Sequence, residues 1–265
     1  MVNEDKNRMK IMGILNITPD SFSDGQKYMV LDNAIEHANQ MIQDGADIID
    51  IGGESTRPNS TRISWEEEIA RIRPVLSALK DLSVPISVDT MNSSTALACM
   101  EYGVSIINDV SGGLYDPNMY KVVADNDIDY VCQHWRVNTD PIEAEKYWKL
   151  THDVMHELHL CIENMHDAGI KDKRIILDPG LGFYKNHSQS WELLNKIDTL
   201  RQLGYPILIG ASRKRMTVLY GRDNIEDRDK VTAKISVFCA DHNVWGVRVH
   251  NVGLTKKYLD ERVTR

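Results

Sequence analysis

Cysteine is scarce in this 265-residue chain and scattered. Cys99, Cys132, Cys161 and Cys239 are the four, and no CxxC pair occurs among them. That spacing excludes a zinc ribbon and a disulfide framework, and the four read as reduced thiols. Long apolar runs are missing too; none approaches the roughly 20 residues that span a bilayer. The opening stretch, MVNEDKNRMK, is polar rather than an apolar leader. A short N-terminal tail over residues 1–9 and a cytoplasmic location are therefore expected. A net charge of −8 leaves no basic excess for nucleic acid, so an anionic ligand needs a local cluster of cations. There is no low-complexity segment, no repeated stretch of residues and no break in composition. The expectation is one domain over residues 10–265.

What is present is a rhythm of short apolar runs, each ending in polar residues and followed by an amphipathic stretch. The runs are KIMGILN (10–16), DIIDIGG (47–53), PISVDT (85–90), VSIIND (104–109), DYVCQH (129–134), RIILDPG (174–180), PILIGAS (206–212) and GVRVHN (246–251). From Asn16 to His250 the repeat averages about 33 residues, the length of one strand-plus-helix unit, and eight such units make a (β/α)8 barrel. Runs this apolar suit strands buried on both faces. Helices are expected over 31–44, ended by Gly45, over 65–82 behind an N-cap at Ser64, over 143–168 ended by Gly169, and over 188–203, 228–241 and 255–263. The rival, a doubly wound open sheet, usually carries a Gly-rich dinucleotide loop after its first strand, and GILNITPDSFSDG is not one. Polar groups at all eight run ends (Asn16, Glu54, Asp89, Asn108, His134, Asp178, Ser212, His250) favour the α/β TIM barrel, which gathers its strand ends at one mouth.

Asp89 and Asp178, with Asn108 on the intervening fourth run, form a convergent set at that mouth. Carboxylates accept two parallel N–H bonds, so the set suits a flat, guanidine-like edge. A glycosidase acid–base pair is the competing chemistry. Aromatics for stacking a sugar are wanting, since only Phe183 and Tyr184 follow Asp178. The cations Arg213, Lys214 and Arg215 leave the seventh run, and Arg248 and His250 end the eighth. Those are the loops where barrels of this kind bind phosphate. Asn16 offers a carbonyl oxygen to a hydrated Mg²⁺. The loop after the second run, ESTRPNS, places Thr56 and Arg57 as anion donors with Pro58 restricting its tip, while Glu54 has no evident role. The helical histidines His152, His156 and His159 mimic a metal site but sit far from any run end, so they read as a solvated face. Trp65, Trp148, Trp191 and Trp245 are expected to pack helices on the barrel.

The stretches MGILNITPDSFSDG, GADIIDIGGESTRP, ISVDT, IINDVSGG, IILDPGLGF, GASRK and VRVH, in that order over residues 12–250, resemble the dihydropteroate synthase family of folate biosynthesis. The resemblance implies a barrel, usually a homodimer, joining 6-hydroxymethyl-7,8-dihydropterin diphosphate to p-aminobenzoate with Mg²⁺. It implies that Asp89, Asn108, Asp178 and Lys214 contact the pterin. Asn16, Thr56, Arg248 and His250 would contact the diphosphate, Asn16 also the metal. Thr56, Arg57, Pro58, Phe183 and Ser212 would surround p-aminobenzoate, and Lys214, Asp178 and Arg248 would carry catalysis. A pterin-dependent methyltransferase of the same superfamily would need neither ESTRP nor SRK, and a non-catalytic pterin-binding paralogue is the other alternative. The chain departs from the family pattern at Gln26, Gln133, Tyr184 and Asn251.

Overall fold

The computed structural model describes residues 8–17, 27–54, 62–136, 146–219, 221 and 223–263. Eight parallel strands run in chain order: β1 (Lys10–Asn16), β2 (Ile48–Gly52), β3 (Ile86–Asp89), β4 (Ile106–Asp109), β5 (Asp129–Gln133), β6 (Ile175–Asp178), β7 (Leu208–Ile209) and β8 (Gly246–Val249). They are ordered β6-β5-β4-β3-β2-β1-β8-β7. A single parallel bridge, Leu177 to Ile207, joins the two ends of that row and closes the (β/α)8 barrel expected from the repeat.

Strand alternation sorts the side chains into an outer and an inner set. Ile11, Ile49, Ile107, Cys132, Leu177 and Ile209 belong to the large cluster shared with the helices. Their neighbours Met12, Ile48, Ile106, Val131, Ile176 and Leu208 form a separate small cluster, the plug inside the barrel. One step further along the inner face the apolar layer ends. Asp50, Asp89, Asn108, Gln133 and Asp178 follow, all 4% exposed or less, together with Gly210 and Arg248. The barrel thus carries a polar ceiling over an apolar plug, and that ceiling is the floor of the mouth.

Nine α-helices occur among the described residues: α1 (Lys27–Gln43), α2 (Trp65–Leu79), α3 (Ser93–Cys99), α4 (Met119–Asn126), α5 (Leu150–Asp167), α6 (His187–Asn195), α7 (Ile197–Leu200), α8 (Ile225–Asp241) and α9 (Val252–Val263). Ser64 caps α2 as expected, its hydroxyl accepting from Glu67 N at 3.3 Å. Three expectations need correction. The fifth helix begins at Leu150, where Asp153 accepts from the amides of Trp148 and Lys149. The stretch 188–203 breaks at Lys196, whose φ −101°, ψ 21° leaves the helical region. Trp148 is 91% exposed and Trp65 41%, so neither is a packing residue.

Two departures from the family pattern are explained by the backbone. Asn251 accepts from Leu254 N at 3.0 Å at the start of α9 and donates to Asp229 at 3.1 Å, so it serves as a helix cap. Tyr184 lies at φ +50°, a conformation that favours glycine, and is held there by an edge contact to the Trp135 ring at 6.0 Å. Tyr184→Ala and Tyr184→Gly both lose that ring, but only alanine keeps the strained φ. The glycine variant is therefore expected to be the more stable by about 1 kcal/mol, or ~2–4 °C in melting temperature. Thermal unfolding of the two proteins checks this; an alanine variant melting at or above the glycine one refutes it.

Candidate active site

Arg248 is the hub of the polar ceiling. Its Nε donates to Asp50 Oδ2 and its Nη2 to Asp89 Oδ2, both at 2.6 Å. Asn108 Nδ2 also donates to Asp50 Oδ2, at 3.1 Å. Asp50, absent from the sequence-based set, is fully buried and completes the cluster. Burial pushes the Asp89 carboxyl up, Arg248 pulls it down, and Asp50 pushes it up again. Burial lowers the basicity of Arg248, but the two aspartates outweigh it and hold the guanidinium charged. The second oxygens, Asp50 Oδ1 and Asp89 Oδ1, are buried without a hydrogen-bond partner. Two acceptors of that kind are costly unless a ligand supplies donors.

Across the mouth, Asp178 Oδ1 accepts from Gly180 N at 2.7 Å. Lys214 donates from Nζ to Leu181 O at 2.6 Å, and its ammonium lies 4.5 Å over the Phe183 ring. Gly210 leaves the gap between them open; a Cβ there would stand 3.4 Å from Asp178 Oδ2 and 3.7 Å from Lys214 Nζ. Burial raises the Asp178 carboxyl above its usual 3.8, opposed chiefly by Lys214. Burial likewise lowers Lys214, to about 8, opposed by Asp178. Each group is thus desolvated and kept charged mainly by the other.

The structure gathers Asp89, Asn108, Asp178, Lys214, Arg248 and Phe183 at the mouth. It also seats His250 on Ser212: the hydroxyl meets Nδ1 at 2.9 Å and accepts from His250 N at 3.1 Å. The basic run divides. Arg213 turns outward at φ +57° and forks onto Asp229 at 2.7 and 2.8 Å, so it is structural, while Lys214 points in. Asn16 Oδ1 and Asp89 flank Gly52, where a Cβ would come within 3.6 and 3.5 Å of them. An exposed amide oxygen beside a carboxylate is a hard-donor setting that suits Mg²⁺. Among the described residues no group of three or more His, Cys, Asp or Glu could cage a metal, so water and substrate oxygens would complete its shell.

Thr56, Arg57 and Pro58 lie outside the described residues, as does Gln26. Glu54, left without a role by sequence, joins the two stems of that stretch. Its Oε1 accepts from Ile63 N at 3.3 Å and its Oε2 pairs with Arg62 Nη1 at 3.0 Å. Gln133 takes an inner position in the ceiling and donates to Val110 O at 3.1 Å, bracing the loop after β4.

Comparison with known proteins agrees with this geometry. The family model described as "Pterin binding enzyme" matches residues 12–250. A dihydropteroate synthase from Clostridium beijerinckii is 44% identical over 247 residues, 92% of this chain and 90% of its own. A crystal structure of dihydropteroate synthase from Clostridium difficile, in the presence of pteroic acid, superposes with a TM-score of 0.90 at 38% identity, covering 100% of this chain and 98% of that one. A dihydropteroate synthase from Xanthomonas albilineans with 4-aminobenzoic acid gives 0.89 at 35%, covering 97% and 93%. A polar ceiling built for a flat donor edge, cations at the ends of β7 and β8, and similarity over nine-tenths of the chain lead to one conclusion: the chain belongs to the dihydropteroate synthase family of pterin-binding enzymes.

Proposed function

We infer that the protein joins 6-hydroxymethyl-7,8-dihydropterin diphosphate to p-aminobenzoate, giving 7,8-dihydropteroate and diphosphate. The observation that carries this reading is the pair of buried, unpartnered oxygens on Asp50 and Asp89, set with Asn108 and Asp178 in one layer. A 2-amino-4-oxo pyrimidine edge is a row of N–H donors and supplies what those acceptors lack.

The reaction is a substitution at the pterin methylene. Its carbon–oxygen bond to diphosphate breaks, a carbon–nitrogen bond to the aniline forms, and the aniline proton is lost. Aspartates around the ring favour the positive charge that develops on the pterin. Lys214, Arg248 and His250 stabilise the negative charge on the departing diphosphate, and the family reading implies Thr56 as a further contact. Phe183 and Ser212 would border p-aminobenzoate, with Thr56, Arg57 and Pro58 the further contacts that the family reading implies. An aniline nitrogen attacks without prior deprotonation, so no strong base is required. Asn16 would hold Mg²⁺, which neutralises charge on the diphosphate when bound. A homodimer follows from the same family reading.

The test is diphosphate release from the pterin diphosphate with p-aminobenzoate and Mg²⁺. Release that depends on both substrates and falls at least about tenfold on chelation is expected, in keeping with a metal that stabilises the leaving group. No release above background with fresh substrate refutes the reading.

A further inference from the structure

We propose that Lys185 is a positioning residue for the p-aminobenzoate site: its ammonium ties the end of β5 to the turn after β6 and thereby sets Phe183. The proposal rests on the placement of Phe183 in that site.

Lys185 is 4% exposed, yet each of its three N–H groups has an acceptor. It donates to His134 Nδ1 at 2.9 Å, to Gly180 O at 3.1 Å and to Phe183 O at 3.0 Å. An ammonium can only donate, so His134 Nδ1 is the accepting nitrogen, and Nε2–H donates to Glu157 Oε2 at 2.9 Å. Burial opposes ionisation of Glu157, but His134 and Arg136 overcome it and hold the carboxyl down at about 2. Arg136 reaches Glu157 at 3.0 and 2.5 Å and lies 3.7 Å over the Tyr147 ring. Tyr147 OH then donates to Tyr184 O at 3.1 Å, which brings the network back to the turn where it began.

The turn so held is functional throughout. Gly180 N binds the Asp178 carboxylate, Leu181 O receives Lys214, and the Phe183 ring lies under that ammonium. Burial pulls the Lys185 amine down to about 7, so its charge is kept at a cost in folding. A methionine would fill the same space without that cost. What methionine cannot do is donate to two turn carbonyls and an imidazole together, and a substrate wall no longer held in place must be ordered on binding, which weakens affinity.

Steady-state kinetics on Lys185→Met and Lys185→Arg test this. Lys185→Met is expected to raise KM for p-aminobenzoate at least tenfold while kcat per folded enzyme changes less than threefold. Lys185→Arg, which keeps donors, is expected to recover part of that loss. His134→Gln, with its smaller disturbance, gives a shift in the same direction and serves where Lys185→Met does not fold. A lowered melting temperature with KM within twofold of the parent, in whichever variant is folded, overturns the proposal. Diphosphate release by the unaltered protein in the same assay separates that outcome from failure of the functional reading.

Discussion

Arg248→Met is expected to be the most damaging single substitution at the mouth, lowering kcat/KM by about 10³-fold and stability by about 3 kcal/mol. The two losses share one cause. Arg248 answers both Asp50 and Asp89, at 2.6 Å each, so removing it leaves two neighbouring carboxylates without a cation. Burial and the Asp50 charge already push Asp89 upward, and without the guanidinium that lowers it Asp89 rises further and holds its proton. The ceiling then presents a donor where the pterin requires an acceptor, while the diphosphate loses a counter-charge. Arg248→Lys separates these effects. A lysine restores a positive charge but cannot bridge both aspartates in a fork. Much of the melting temperature should return, with activity still about 10²-fold down. The loss of 3 kcal/mol corresponds to ~6–12 °C in a chain of this size. Calorimetry and initial rates measure both quantities; a variant that melts early yet turns over normally shows that Arg248 is structural only.

The sequence revealed the barrel because polar residues follow each apolar run, and a closed parallel sheet gathers eight such run ends into one ring. It revealed Asp89, Asn108, Asp178 and Arg248 because each stands at, or one residue before, the end of its strand. Asp50 escaped notice because it lies inside one. In IIDIG all five residues are buried, on both faces of the strand, so hydrophobicity gives no phase. Only the inner position of Asp50, one step beyond Ile48 on the same face, shows that it faces Arg248. Lys185 and Glu157 were hidden for another reason. Their partner is His134, 51 and 23 positions away, and only the packing of α5 and of the turn after β6 against the end of β5 brings them together. Arg213 and Lys214 are adjacent cations with opposite uses, and the left-handed turn at Arg213 that separates them leaves no mark in composition. Glu54 needed the far stem of its own loop, Arg62 and Ile63, before it acquired a role.

Asp178→Asn and Lys214→Ala are each expected to weaken pterin binding by about 10²- to 10³-fold while changing the melting temperature by no more than about 3 °C. An asparagine keeps its one oxygen as the acceptor for Gly180 N and so turns its NH2, a clashing donor, toward the pterin edge. The small effect on stability follows from the direction of the shifts. Burial raises Asp178, so its folded pKa lies above its unfolded one. Its contribution to stability is therefore greatest at low pH and is lost as pH rises through the folded value. At neutral pH the ionised carboxyl burdens the fold, and removing it relieves that burden. Lys214, drawn down to about 8, is likewise charged against the preference of its surroundings. Each substitution leaves the other group unpaired, but that group can neutralise itself, which limits the damage to the fold. In Lys214→Ala the largest influence lowering Asp178 is gone, so its carboxyl rises further. Pterin affinity in that variant should then climb with pH from above the ordinary 3.8 and fall away on acidification, a dependence displaced to higher pH than in the parent. Isothermal titration with the pterin diphosphate, without p-aminobenzoate, across that range measures it. Normal affinity in either variant, or a pH profile in Lys214→Ala that superposes on the parent's, means that the Asp178–Lys214 pair does not hold the pterin.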